Sequence, residues 1–218
     1  MQPDQVLGID SAEAVCAAQL AFDGLLQRAA RDGWATTPGH HSPPEDGAAG
    51  VRVVGPEELS SRDAKQGGWS LSDLNGLGRF PWHTDGAISR VPPHFIVLQN
   101  RTLSEVPTEL VELPANLARD LGRVALLASD RFGNHQLLSA VDRLKGRDRI
   151  RWDIRTCAVR PGNDAIVDRV DSLQPQVTVQ WTEARTLIID NWRMLHRRPA
   201  VPANEERHLR RWYVDRNF

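Results

Sequence analysis

His83 and Asp85 sit two residues apart in Trp82-His83-Thr84-Asp85-Gly86, and His196 lies far downstream in Asp190-Asn191-Trp192-Arg193-Met194-Leu195-His196-Arg197-Arg198. In an extended segment, residues i and i+2 project to the same side. His83 and Asp85 can therefore hold one ion together while Thr84 points away, and Gly86 lets the backbone turn immediately afterwards. The third ligand must come from elsewhere, and His196 is the candidate because it follows the apolar strand Thr186–Asp190 after a short turn. Two imidazoles and one carboxylate on one side of an ion leave the other side open, as in the non-heme iron(II) centres that activate oxygen. The same donors suit zinc, so the triad alone does not choose the metal. The adjacent pair His40-His41 has nothing nearby to complete a ligand set and reads as part of a surface loop.

The elements that must position these residues are mostly short strands. Residues Ser11 to Asp32 read as an amphipathic helix, with Ser11 as cap, Glu13 in the first turn, and Val15, Leu20, Leu25 and Leu26 on its apolar side. Gly33 ends it. The stretch from Thr36 to Gly50 is rich in Pro, Gly and His and reads as a loop. Val51 to Val54 is a short strand ended by Gly55-Pro56, and residues 57–78 carry no strong periodicity. His94 to Gln99 is a buried strand. Leu110 to Leu121 begins as a strand edge and continues as a helix from Pro114. From Arg149 to Ala158 polar and apolar residues largely alternate, with Ile150, Trp152 and Ile154 on one face. This predicts a half-exposed strand with a basic outer face, inside the basic segment Arg143 to Arg155. Strands over Gln176–Trp181, Thr186–Asp190 and Arg207–Asp215 close the chain. The pattern predicts a mainly β protein with flanking helices, built as an antiparallel barrel or jelly roll.

With 218 residues the chain makes one domain, residues 1–218, with an N-terminal helix and loop over 1–60 and a core over 80–218. Its hydrophobic content of 40% and charged content of 25% are those of an ordinary globular protein. A formal net charge of -1 argues against a general affinity for nucleic acid. Cys16 and Cys157 match no metal-ligand spacing and read as free thiols in a reducing compartment. The N-terminus shows neither a basic nor an apolar signal region, and no apolar run approaches the ~20 residues of a membrane span. The expected location is the cytoplasm.

Trp82-His83-Thr84-Asp85-Gly86 resembles the first metal motif of the iron(II)/2-oxoglutarate-dependent dioxygenases of the taurine dioxygenase (TauD/TfdA, clavaminate synthase-like) family. The segment Asp190 to Arg198 resembles that family's distal-histidine motif, in the Asn-x-Arg-x-x-His form of the gamma-butyrobetaine and trimethyllysine hydroxylase branch. Arg207 to Asp215 resembles its final strand. The similarity runs in order from about Phe80 to the C-terminus. It implies a double-stranded β-helix core with His83, Asp85 and His196 as iron(II) ligands. It also implies oxygen and 2-oxoglutarate as co-reactants, with succinate and carbon dioxide released as a C–H bond is oxidised. Asp85 argues against halogenation, because the family's halogenases lack that carboxylate.

The resemblance places an arginine for the far carboxylate of 2-oxoglutarate on the last strand, and Arg207, eleven residues after His196, matches that place. Arginine offers a bidentate fork that lysine cannot imitate. Arg210 is the rival at a longer spacing. Alternation puts Arg207, Leu209, Arg211 and Tyr213 on one strand face. Thr108 fits the family's cosubstrate threonine, with Thr102 as the alternative, although no Gly-Gly pair precedes it. Arg211, helped by Arg193, Arg90 and the basic segment, is assigned to an anionic or zwitterionic small substrate such as an amino acid. Trp82 and Trp192 flank the metal residues and could line the pocket, although a large aromatic beside a strand is more often core; Trp82 is placed with the substrate contacts. The stretch between the metal motifs is compact, so the pocket is open, takes a larger substrate, or is completed by self-association. The competing readings are the same chemistry on a protein- or carrier-bound residue, a ligand-binding relative without chemistry, and a zinc-dependent hydrolase.

Overall fold

The computed structural model describes residues 11–45, 51–65, 70–130, 132–144, 146–160 and 163–216. Helix α1 spans Ser11–Asp32, and strands β1 (Trp34–Thr37) and β2 (Val51–Ser60) follow it. A short helix α2 (Leu71–Asn75) precedes the first metal motif, and β3 (Phe95–Asn100), β4 (Thr108–Glu112) and helix α3 (Ala115–Leu121) come after it. Then come β5 (Ala125–Ser129), β6 (His135–Ser139), β7 (Val141–Leu144), β8 (Arg147–Ile150), β9 (Cys157–Val159), helix α4 (Asp164–Asp171), β10 (Val177–Val179), β11 (Thr186–Asp190), β12 (Met194–Arg197) and β13 (His208–Arg216).

Five strands in the order β1-β11-β3-β13-β2 make the major sheet, and β10-β4-β12 make a three-stranded sheet. A side sheet β6-β5-β9 and the hairpin β7-β8 complete the strands. The strand pairings are antiparallel throughout. This is the double-stranded β-helix, or jelly-roll, architecture.

Period-two alternation explains why β3 and β11 are buried on both faces. Phe95, Val97 and Ile188 pack outward beneath Phe22, Leu25, Leu26 and Ala29 of α1. Ile96, Leu98, Leu187 and Ile189 point the other way, with Leu209 of β13, toward Leu110, Val179, Trp181 and Met194. A third cluster, containing Trp82, Leu113, Leu126, Trp152 and Leu195, gathers α3, α4 and the side sheet.

Helix α1 has the predicted limits, but its buried stripe is Phe22-Leu25-Leu26-Ala29, while Val15 and Leu20 are exposed. The side chains of Ser11 and Glu13 lie outside the described residues. Gly33 ends the helix at φ +89°, and a β-carbon there would meet Met194 Sδ at 2.7 Å. Part of the predicted loop after it is strand β1, paired with β11, so tertiary pairing overrides the turn-rich composition of its neighbours. Strand β2 does not stop at Gly55-Pro56 but runs on to Ser60, with a register shift opposite Arg211/Tyr213 that absorbs the proline.

The predicted strand over 149–158 is corrected. β8 ends at Ile150, a turn follows, and β9 begins at Cys157. Its basic face is not outward either. Arg149 is buried and pairs with Asp142 through Nε at 2.6 Å and Nη2 at 2.7 Å. Arg151 is buried and donates to the carbonyls of Ala87, Ser89 and Arg90. Alternation of polar and apolar residues signalled a strand here, but Arg149 is held by Asp142 of β7 and Arg151 staples the loop that follows the first metal motif.

Candidate metal centre

Two backbone hydrogen bonds bring the distant motifs together. His83 N–H donates to the His196 carbonyl at 3.1 Å, and His196 N–H returns one to the His83 carbonyl at 2.9 Å. This isolated antiparallel bridge sets the two imidazoles side by side, with ring centroids 4.2 Å apart. His196 comes from β12, which is held by β4 at Leu110. Thr84 turns away, as i+1 must, and its Oγ1 accepts from Trp152 N–H at 3.0 Å.

Asp85 is held from its backbone. Its N–H donates to Asn191 Oδ1 at 2.8 Å, and Asn191 Nδ2 donates to the Asp85 carbonyl at 3.0 Å and to that of Pro93 at 2.9 Å. Gly86 then turns at φ +68°, where a β-carbon would meet Pro93 Cδ at 2.7 Å. That combination admits only glycine without strain.

The three side chains converge as the spacing predicts. Asp85 Oδ1 lies 3.6 Å from Nε2 of both histidines, and one ligand atom from each residue lies within 4.8 Å of the others. All three residues are buried. His83 Nδ1 is 3.0 Å from the Pro81 carbonyl. That contact calls for the proton on Nδ1 and leaves the Nε2 lone pair facing the triad. Burial, reinforced by the neighbouring His196, holds the His83 imidazole well below its ordinary pKa, so it is in the neutral, metal-binding form. Burial alone would raise the Asp85 carboxyl, but Arg211, with His196 and His83, holds it well below the usual carboxylate range. Two imidazoles, that of His83 held neutral, and an ionised carboxylate fit a divalent ion.

A cavity of about 490 Å³ opens on this triad, and Thr108, Arg207, Arg211 and Tyr213 also line it. Arg207 Nη2 donates to Thr108 Oγ1 at 2.9 Å, and its Nε donates to the Val106 carbonyl at 3.2 Å. Trp181 Nε1 also donates to Thr108 Oγ1, at 3.0 Å. Arg207 is densely surrounded by protein yet keeps a surface open to the cavity. Burial, then the like charge of Arg198, lowers its pKa to about 9, which leaves it a cation at neutral pH. Arg210 points to the opposite face of β13 and pairs with Glu58 at 2.7 Å. Thr102 lies in the loop after β3, where its hydroxyl accepts from His208 N–H at 3.2 Å.

Three expected substrate contacts are placed differently. Arg211 lines the cavity, but Nη1 donates to Asp85 Oδ2 at 2.8 Å and Nη2 to Glu57 Oε2 at 2.5 Å, so its own chain meets its charge. Arg193 is not on this cavity. It forms a fork on Glu112 at 2.6 and 2.9 Å and borders a larger hollow of about 960 Å³ that contains none of the triad. Trp82 is fully buried, with its indole N–H on the Leu173 carbonyl at 3.1 Å and Arg197 over its ring, so it is a core residue. Trp192 stacks on His94 beside the larger hollow, and Arg90 is exposed.

Other contributors were not singled out from the sequence. Tyr213, whose hydroxyl reaches Asp85 Oδ2 at 3.3 Å, was signalled by alternation with Arg211. Asn191 and Arg198 stand inside the distal-histidine motif, two residues or fewer from a strand end or a ligand. Glu57 had no signal. It reaches the site only because β2 pairs with β13 so that Glu57 faces Arg211.

A His-Asp-His cluster thus stands on a jelly roll, with a half-buried arginine, Arg207, and a buried threonine, Thr108, lining the same cavity. Residues 127–213, from β5 into β13, match the family described as taurine catabolism dioxygenase TauD, TfdA family; this stretch contains the distal-histidine and final-strand motifs. No curated protein sequence matches the chain. Among solved structures, the PvcB protein from Pseudomonas aeruginosa is similar at 18% identity and a TM-score of 0.63, over 90% of this chain and 81% of that one. An asparagine oxygenase in complex with Fe(II), 2S,3S-3-hydroxyasparagine and succinate is similar at 15% identity and a TM-score of 0.54, over 76% of this chain. The non-heme iron oxygenase OrfP, in complex with Fe and alpha-ketoglutaric acid, is similar at 21% identity and a TM-score of 0.51, over 72% of this chain and 55% of that one. The chain spans little more than half the asparagine oxygenase's length, 56%. No helix among the described residues is long and apolar enough to cross a membrane.

Proposed function

We propose that this protein is an iron(II)- and 2-oxoglutarate-dependent oxygenase that oxidises an unactivated C–H bond of a small carboxylate-bearing molecule, such as an amino acid or a natural-product intermediate. The observation that carries this reading is that one cavity holds both the His83-Asp85-His196 triad and the Arg207–Thr108 pair. A hydrolytic zinc site would have no use for the second. In this reading His83, Asp85 and His196 would hold iron(II), which with 2-oxoglutarate would supply the oxygen-activating chemistry that releases succinate and carbon dioxide.

The chain's own residues bind, aim and exclude water. His83 is fixed in one tautomer by the Pro81 carbonyl. Asp85 is fixed by Asn191 on its backbone and by Arg211 and Tyr213 on Oδ2. Arg207 and Thr108 offer donors to the far carboxylate of the cosubstrate, which would relieve a cation otherwise in contact only with neutral oxygens. An amino acid is the favoured substrate class because the asparagine oxygenase and OrfP structures hold hydroxylated amino acids.

The test is anaerobic. Protein loaded with iron(II) and 2-oxoglutarate should develop the weak visible charge-transfer band of the chelate, and aerobic turnover across a panel of amino acids should release succinate. Tight zinc with no band would overturn the reading. Arg207→Ala should raise the 2-oxoglutarate requirement strongly while leaving iron binding nearly intact.

A further inference from the structure

Six arginines line the cavity that holds the triad: Arg62, Arg155, Arg197, Arg198, Arg207 and Arg211. Four of them face a carboxylate at ion-pair distance. Arg62 has Asp73, Arg155 has Asp153, Arg197 has Glu109, and Arg211 has Asp85 and Glu57. Arg198 and Arg207 have no such partner among the described residues. The Glu205 carboxylate, whose charge Arg207 feels, is engaged by the Ser104 hydroxyl and the N–H groups of Glu105 and Val106.

Arg198 is 6% exposed, and its Nη1 has no hydrogen-bond partner. Its Nη2 donates to the carbonyls of Gly76 at 2.7 Å and Gly78 at 3.1 Å, and its guanidinium lies 3.9 Å from the Phe80 ring centroid. These contacts fix the plane of the guanidinium but supply no negative charge. Arg198 and Arg207 line the same cavity as Thr108, and the like charge of Arg198 adds to burial in lowering the pKa of Arg207. Two cations facing one cavity, Arg198 buried and Arg207 half-buried, without an acid are unfavourable unless an anion joins them.

We infer that Arg198 is a second, specificity-determining contact for the far carboxylate of 2-oxoglutarate, closing with Arg207 and Thr108 a cradle that accepts 2-oxo dicarboxylates and rejects 2-oxo acids ending in a methyl group. The inference rests on the assignment of Arg207 and Thr108 to the cosubstrate. A methyl terminus would leave both guanidiniums desolvated and unpaired, and sites built to satisfy polar groups discriminate strongly against analogues that lack the partner. The contacts with Gly76 and Gly78 allow a rival role, in which Arg198 only ties the turn after α2 to the end of β12.

Calorimetry separates these. Under anaerobic conditions, 2-oxoglutarate and 2-oxopentanoate, which has the same carbon count but no far carboxylate, are titrated into iron(II)-loaded protein. Glutarate is titrated into metal-free protein. Arg198→Met should raise the Kd for 2-oxoglutarate about tenfold or more, leave that for 2-oxopentanoate within about twofold, and weaken glutarate in parallel. Arg198→Lys, which keeps the charge, should fall between. An equal loss for both 2-oxo acids would mean a role in holding the turn and would overturn the inference. So would unchanged 2-oxoglutarate binding in Arg198→Met while Arg207→Met weakens it, a result that leaves the cosubstrate reading standing. Unchanged binding in Arg207→Met would remove that reading and this inference with it.

Discussion

Arg211 donates to Asp85 Oδ2 at 2.8 Å while Asp85 Oδ1 lies 3.6 Å from Nε2 of both His83 and His196. The carboxylate is divided between two tasks, one oxygen facing the imidazoles and the other anchored. Tyr213, two residues along β13 and hence on the same face, reaches the anchored oxygen at 3.3 Å. Burial would lower the Arg211 pKa, but Asp85, Tyr213 and Glu57 raise it, so the guanidinium is held as a permanent cation. Partners of metal-binding carboxylates orient the ligand, and their loss commonly costs about 10–100-fold in metal affinity. Arg211→Leu should therefore weaken iron(II) or cobalt(II) binding by that order, as measured by titration of metal-free protein, and Tyr213→Phe should weaken it less. Unchanged metal affinity together with a raised substrate KM would return Arg211 to the substrate role its strand position first suggested.

Asn191 carries a different load. Its side chain is fully buried and satisfies two backbone groups of Asp85 and the carbonyl of Pro93. Truncation would leave a buried donor and two buried acceptors without partners, each costing roughly 1–3 kcal/mol. Asn191→Ala should lower unfolding stability by about 2–4 kcal/mol, seen as a lower urea midpoint at unchanged slope. Asn191→Asp, which keeps the shape and the acceptor but loses the donor, should also destabilise the protein. A neutral outcome for Asn191→Asp would mean that the Nδ2 contacts contribute nothing.

Much of this site was legible because strand periodicity is a local property. His83 and Asp85 at i and i+2, and Arg207, Leu209, Arg211 and Tyr213 along one strand, fall where alternation puts them. The apolar strands β3 and β11 were legible for the same reason. The failures share a cause as well. Whether an arginine is free to meet a ligand depends on which acid faces it across the fold. Glu57 opposite Arg211 and Glu112 beside Arg193 are long-range pairings with no trace in local pattern. Trp82 next to a metal ligand looked like a pocket wall because its neighbour faces the cavity. Alternation itself argues that it should face away, and it does.

Arg193 offers a control for the assignment of arginines. Its fork on Glu112 is partly exposed, at 37% and 42% for the two side chains, and it faces away from the triad's cavity. Solvent screening leaves such a pair worth no more than about 1 kcal/mol. Arg193→Ala should shift the urea midpoint only slightly and leave KM and kcat for any substrate found by the succinate screen within about twofold. A large rise in KM would show that this side of the molecule takes part in substrate binding after all.

Cys157 and Cys16 should behave as opposites toward thiol reagents. Cys16 is exposed on α1, whereas Cys157 is buried at the start of β9. Burial raises the Cys157 thiol to about 11, so at pH 8 it carries almost no thiolate, the form that reacts. An aromatic disulfide reagent should titrate one thiol rapidly in the folded protein and the second only after denaturant is added. The same shift has a sign for stability. Between the unfolded thiol's pKa of about 8.5 and the folded value of about 11, the unfolded chain has lost a proton that the folded chain retains. Cys157 therefore favours the folded state fully below that window and progressively less as pH rises through it, by roughly 1.4 kcal/mol per pH unit at most. Cys157→Ala removes the titrating group, so the stability difference between wild type and variant, followed by urea unfolding from pH 8 to pH 10.5, should shift against the wild type as the pH increases. A difference independent of pH would mean that the buried thiol ionises as readily in the folded protein as in the unfolded chain.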